Sequence, residues 1–174
     1  MNTHSARPTA FLFLAGFLLA LLVVLAFVLL TLPALPPVVA SHFGADNLAN
    51  GQMTRSRYRD FMLLFTLGVP LLACLPLAWL PARFPRLVNI PDRDYWLGPE
   101  QRDNSLLFFR HHALLLATLV VLFMGAVHGL ILQANALQPA QLPVLPFAVT
   151  LLFFLGGVLW WSLALVHRFP RRPA

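Results

Sequence analysis

Four long apolar stretches, separated by shorter polar ones, organise this chain. The first, residues 10–32, carries no charge and is almost entirely Leu, Val, Phe and Ala. At 1.5 Å of helix rise per residue it is long enough to cross a hydrocarbon layer of about 30 Å. The second covers residues 61–80 and contains Pro70 and Pro76. In lipid a proline kinks a helix without ending it, because neighbouring helices satisfy the freed carbonyl. The third covers residues 106–132, with a helix start expected near Gly98-Pro99-Glu100, where Pro suits the first turn and Glu100 complements the helix dipole. The fourth covers residues 143–166 and stops at a basic cluster containing Arg168, Arg171 and Arg172, with Trp160 and Trp161 placed as interfacial anchors. The pattern predicts an all-α integral membrane protein of four transmembrane helices, forming one membrane domain over residues 1–174.

The first stretch is longer than the apolar core of a secretory signal, about 7–15 residues, and is expected to remain as an uncleaved anchor. Composition agrees with the hydropathy pattern. Hydrophobic residues make up 59% of the 174 residues and charged ones 10%, against about a quarter charged in a soluble domain. The remaining surface therefore faces a lipid bilayer. Net charge is +6 and every basic residue is Arg, a usage associated with GC-rich bacterial genomes. Because these arginines flank apolar segments, they indicate membrane orientation and not nucleic-acid binding. Nine of them fall on the side shared by the two termini and the 81–105 connection; Arg55, Arg57 and Arg59 fall on the other. This split predicts N-in/C-in topology in a bacterial inner membrane.

Small residues mark where helices approach. Ala117, Val121, Gly125 and Gly129 share one face of the third span, Gly16 and Ala20 one face of the first, and Gly156-Gly157 lie in the fourth. They suit intramolecular packing or, at Gly125/Gly129, a homodimer. Cys74, the single cysteine, reads as a small apolar packing residue.

Candidate chemistry is sparse. The apolar stretches contain no Asp or Glu, which argues against an ion-coupled transporter. No nucleophile elbow, phosphate loop or zinc-protease pattern is present, and no cofactor is implied. His128 lies about 60° round the helix from Gly125 and so borders the packed face; it is expected to hydrogen-bond a neighbouring helix or interfacial water. His111 and His112, about 100° apart, read as interfacial. The connection over residues 81–105 reads as an interfacial platform. Tyr95 and Trp96 supply amphipathic anchors there, Arg93 and Arg102 meet headgroups or the acids Asp94 and Glu100, and Pro99 opens the following helix.

The segment between the first two spans, residues 33–60, is the richest polar feature. Pro36-Pro37 forces an extended exit, while Gly44, Asp46-Asn47 and Asn50-Gly51 are turn formers. Asn50-Gly51 in particular signals a turn needing positive φ. The segment is expected to fold as an ordered outer loop. An alternative is an outward-facing metal or acid–base site built from His42, Asp46 and His128.

Leu35-Pro36, His42-Phe43, Asn47, Gly51 and Arg55 together resemble, in order and spacing, a motif of bacterial membrane proteins grouped as a domain of unknown function (DUF1648). Asn47 stands where that family usually has a glycine. The resemblance covers about the first two spans and implies their architecture. Some relatives are immunity proteins against a sporulation-delaying toxin; their additional C-terminal motif is not found here. The functional expectation is a small non-enzymatic protein that binds a membrane partner, a peptide or an envelope signal. The alternative is a membrane enzyme or transporter working through His42, Asp46 and His128.

Overall fold

The computed structural model describes the backbone of residues 6–171 and the side chains of residues 10–171. Arg172 and the side chain of Arg7, both counted above, lie outside the described residues. Among the described residues four helices are long and apolar enough to span a membrane: Ala10–Ala34, Arg55–Arg83, Arg102–Asn135 and Val144–Arg168.

The first span is α1 (Ala6–Thr31) prolonged by a 3-10 turn, Leu32–Ala34. The second starts earlier than the apolar pattern alone predicts. Helix α2 (Arg55–Leu63) is capped by Thr54, whose hydroxyl accepts from the Arg57 amide at 3.3 Å, so a charged turn is recruited ahead of the apolar run. Two π turns, Leu64–Gly68 and Pro70–Cys74, then carry the chain past Pro70 into α3 (Pro76–Arg83). The Leu75 amide reaches back to the Pro70 carbonyl at 2.9 Å. Widening the helix by one residue is how the backbone absorbs the proline without breaking. Cys74 is buried in the core there, as expected of a packing residue.

The connection folds into a 3-10 turn, Pro85–Leu87, and one helical turn, α4 (Arg93–Trp96). Helix α5 (Arg102–Asn135) begins three residues after Pro99, residues 98–101 forming turns that lead into it. The last span is α6 (Val144–Arg168).

Helix α5 is the hub, with α1, α3 and α6 each packed on it. A Cβ at Gly125 would stand 3.0 Å from Val24 of α1, and one at Gly129 3.9 Å from Phe27. The small-residue face thus packs against α1 within the same chain. At the α5–α6 seam Gly157 lies under Leu119, and Phe123 stacks on Phe154 at 4.1 Å. None of α6 is buried, so this helix meets the bundle along α5 and is otherwise free to face lipid.

The all-α expectation needs one correction. The segment between spans one and two is a β-hairpin, with β1 (Val38–Phe43) antiparallel to β2 (Ala49–Thr54). Its turn is residues 44–48, where Asn47 donates to the Gly44 carbonyl at 2.9 Å with φ 63°. Asn tolerates that left-handed geometry better than any residue but Gly. Asn50-Gly51, the stronger turn signal, lies inside β2, and no described glycine has positive φ. The loop between spans three and four aligns beside the hairpin: Ala49 donates to the Ala140 carbonyl and Leu142 to that of Asn47. Together they cover one end of the bundle.

Candidate functional site

The motif residues converge on the hairpin and tie it down. Leu35 is buried. The Arg55 guanidinium donates to the carbonyls of Leu35 and Pro36, and the Arg55 amide donates to Pro37 at 2.9 Å. Arg55 thereby closes the neck of the hairpin by satisfying carbonyls that Pro36-Pro37 leaves unpaired. Val39 and Ala40 are both buried. Asn135, at the end of α5, clamps Ala40 with both halves of its amide: Oδ1 accepts from Ala40 N at 2.8 Å and Nδ2 donates to Ala40 O at 3.0 Å. His42 and Asp46 point outward and are exposed. His42 crosses β2 at Gly51, where a Cβ would come 2.9 Å from the His42 Cβ. Asp46 accepts from the Leu48 amide at 3.1 Å and so holds the turn.

His128 is fully buried beneath this hairpin and joins three spans. The Thr31 hydroxyl donates to the Phe27 carbonyl at 2.6 Å, which leaves its oxygen to accept from His128 Nε2 at 2.8 Å. With the proton on Nε2, Nδ1 accepts from the buried Tyr58 hydroxyl at 2.8 Å. Every polar atom of the ring is satisfied, so the network pins α1, α2 and α5. The structure does not bring His42 and Asp46 to His128. Among the described residues no group of three or more His, Cys, Asp and Glu is placed to hold a metal ion.

A second buried histidine lies toward the opposite end. His112 donates from Nε2 to the Trp161 carbonyl at 2.8 Å, and Trp161 Nε1 returns a bond to the His112 carbonyl at 2.8 Å. The two rings stack at 4.4 Å. His112 is therefore buried in the α5–α6 joint, while Trp160, the other member of the expected Trp160–Trp161 anchor pair, is exposed. His111 stacks on Phe13 of α1 at 4.4 Å.

Beside this joint α3 and α6 diverge across α5, leaving an apolar groove of about 200 Å³. Leu77, Leu80 and Pro81 form one wall, and Trp161 and Leu165 the other. Phe109, His112 and Ala113 form the floor, and the stretch from Leu87 to Ile90 crosses the mouth. The connection is held against the bundle near it. Arg102 donates to the Ala82 carbonyl at 3.2 Å, and Arg93 to the Arg86 carbonyl at 3.3 Å while pairing with Asp94 at 3.1 Å. Trp96 packs edge-on to Phe169 at 5.7 Å, with the Arg168 guanidinium 5.2 Å from the Trp96 ring. The expected platform is thus a folded surface, and Tyr95 packs on Trp96 at 5.0 Å. Glu100 is exposed in the turn before α5.

Sequence reasoning placed His128 on the correct helix edge but missed the groove, whose lining is ordinary Leu, Pro, Val and Ala. No family model, curated protein or solved structure matches the chain.

Proposed function

We propose that this chain is a small bacterial inner-membrane protein that works by binding. Its termini and the 81–105 connection face the cytoplasm, and its ligand is an apolar chain taken from the bilayer into the groove between α3 and α6. The observation that carries this reading is the groove itself. An apolar cavity of about 150 Å³ accepts a molecule the size of benzene, and this one, of about 200 Å³, is larger. It combines an apolar lining with two polar groups, His112 and Asn89, the usual composition of a ligand site. The hairpin residues that carry the resemblance to DUF1648 act in this reading as a cap that fixes one end of the bundle. Chemistry at that end is disfavoured, because His128 has both ring nitrogens engaged.

The arginine split supports the orientation. A reporter active only in the cytoplasm should work when fused after Arg171 and fail when inserted at Asn135; the reverse pattern would invert the topology. For binding, native mass spectrometry of the protein released from mild detergent should show a retained apolar ligand. Leu165→Trp, which narrows the groove from its lipid-exposed wall, should abolish that retention while leaving the helical content unchanged.

A further inference from the structure

The groove opens where the chain is most basic. Arg83, Arg86 and Arg102 are all exposed at this end. Arg86 immediately precedes the Leu87–Ile90 stretch that crosses the mouth, and Arg102 is bonded to the carbonyl of Ala82, next to the wall residue Pro81. Asn89, an exposed lining residue, adds an amide at the same level. The acids of this end, Asp92, Asp94, Glu100 and Asp103, lie further along the connection or in the first turn of α5, and Asp94 is held by Arg93. The apolar wall begins immediately inside this basic rim. Leu77 is six residues from Arg83, about 9 Å of helix. A ligand seated here therefore meets apolar surface for about 9 Å, then positive charge.

Building on the binding function proposed above, we infer that the ligand is an anionic glycerophospholipid. One acyl chain lies in the groove, and its phosphate is met by Arg86 and Arg102 with Asn89 beside them. A zwitterionic lipid has the same chains but adds a cationic group that this rim repels. A free phosphate has the charge but nothing to fill the groove. On the proposed orientation the site faces the cytoplasmic surface, and an arginine near an anionic lipid surface is worth about fivefold in partitioning.

The test uses the full-length protein in mild detergent, supplied with equal amounts of phosphatidylglycerol and phosphatidylcholine of identical chains, with bound lipid counted by native mass spectrometry. Phosphatidylglycerol should be retained at least about tenfold over phosphatidylcholine, and glycerol phosphate without chains should neither bind nor compete. Arg86→Gln with Arg102→Gln should erase the preference by weakening the anionic lipid alone. Leu165→Trp, or Leu77→Phe where the first does not fold, should remove both lipids. Equal retention of the two lipids by the wild type, or a preference for phosphatidylcholine, overturns the headgroup inference while loss in Leu165→Trp keeps the groove. Undiminished retention of both lipids in a folded groove variant overturns the groove reading itself. Competition by glycerol phosphate assigns the charge site to a soluble phosphate and also overturns the inference.

Discussion

Gly51 separates two physical explanations of the same turn chemistry, and substituting it decides between them. An Asn-Gly pair ordinarily needs glycine for positive φ, but Gly51 sits in a strand with ordinary φ. What excludes a side chain is the neighbour across the ladder: a Cβ would lie 2.9 Å from the His42 Cβ and 3.3 Å from its Cγ and Nδ1. Carbon atoms rest at about 3.5–4.0 Å, so the strands would have to part by on the order of 0.6–1 Å. The ladder has little freedom to do so. Asn135 clamps β1 at Ala40, Arg55 closes the neck, and the pairing is already irregular on both sides of His42. Overpacking of this kind costs about 1–3 kcal/mol. Amide exchange at Val39 and Ala40 in Gly51→Ala should accelerate by about 5- to 150-fold, at about tenfold per 1.4 kcal/mol. Gly51→Asn should be no better, although Asn is the residue that best replaces a left-handed glycine. His42→Ala should not rescue Gly51→Ala, since the clashing atom is the His42 Cβ, whereas His42→Gly should recover most of the loss. Tolerance of Asn but not Ala, or strict additivity of Gly51→Ala with His42→Gly, would refute the steric account.

Three other substitutions probe the remaining joints. Tyr58→Phe strands the buried His128 Nδ1 and should lower the unfolding midpoint by an amount equivalent to about 1–3 kcal/mol, whereas Tyr58→Phe combined with His128→Leu should regain part of it, because removing both partners costs less than orphaning one. Asn135→Leu removes partners from both the amide and the carbonyl of Ala40; exchange at Ala40 should rise while the middle of α5 stays protected. Trp161→Phe loses the bond to the His112 carbonyl and should weaken the α5–α6 joint by about 1 kcal/mol in thermal unfolding, while Trp160→Phe, on an exposed side chain, should be neutral.

How much of this was legible in the sequence depended on the range of the interaction concerned. The four spans follow from local hydropathy, and each expected apolar stretch lies within or nearly coincides with an observed span. Pro70 is carried through by π turns and does not end its helix, as expected of a proline in a membrane span. The span ends were harder to place, because Thr54 recruits Arg55–Asp60 into the second helix through a cap that hydropathy ignores. The hairpin was read only as an ordered loop. Its second strand, Ala-Asn-Gly-Gln-Met-Thr, has poor strand propensity, and its pairing is fixed from outside by Asn135, Arg55 and Ala140. His128 was placed on the right helix edge because the 100° periodicity is local, but its partners Thr31 and Tyr58 are distant in sequence. The packing of His112 on α6 was out of reach for the same reason, its partner lying 49 residues away.

The distribution of polar bonds also separates the two ends of the bundle and leaves the groove at one of them. At the hairpin end, His128, Asn135 and Arg55 each connect at least two elements, and side-chain bonds, backbone bonds and the aligned second loop reinforce one another. At the other end α6 is attached through α5, by the His112–Trp161 exchange and aromatic contacts, and α3 stands on the far side of a groove. The part of the second span that forms the groove wall follows the two π turns, where the helix is least regular. In lipid no hydrophobic force drives α3 and α6 together, since hydrocarbon wets both surfaces equally well. On the proposed reading, an apolar gap there takes up the solvent it faces, which is lipid chain. Selectivity must then come from the polar rim and not from the apolar walls. In the proposed lipid-binding reading the discriminating chemistry therefore falls to Arg86, Arg102 and Asn89, and the buried histidines act as structural joints.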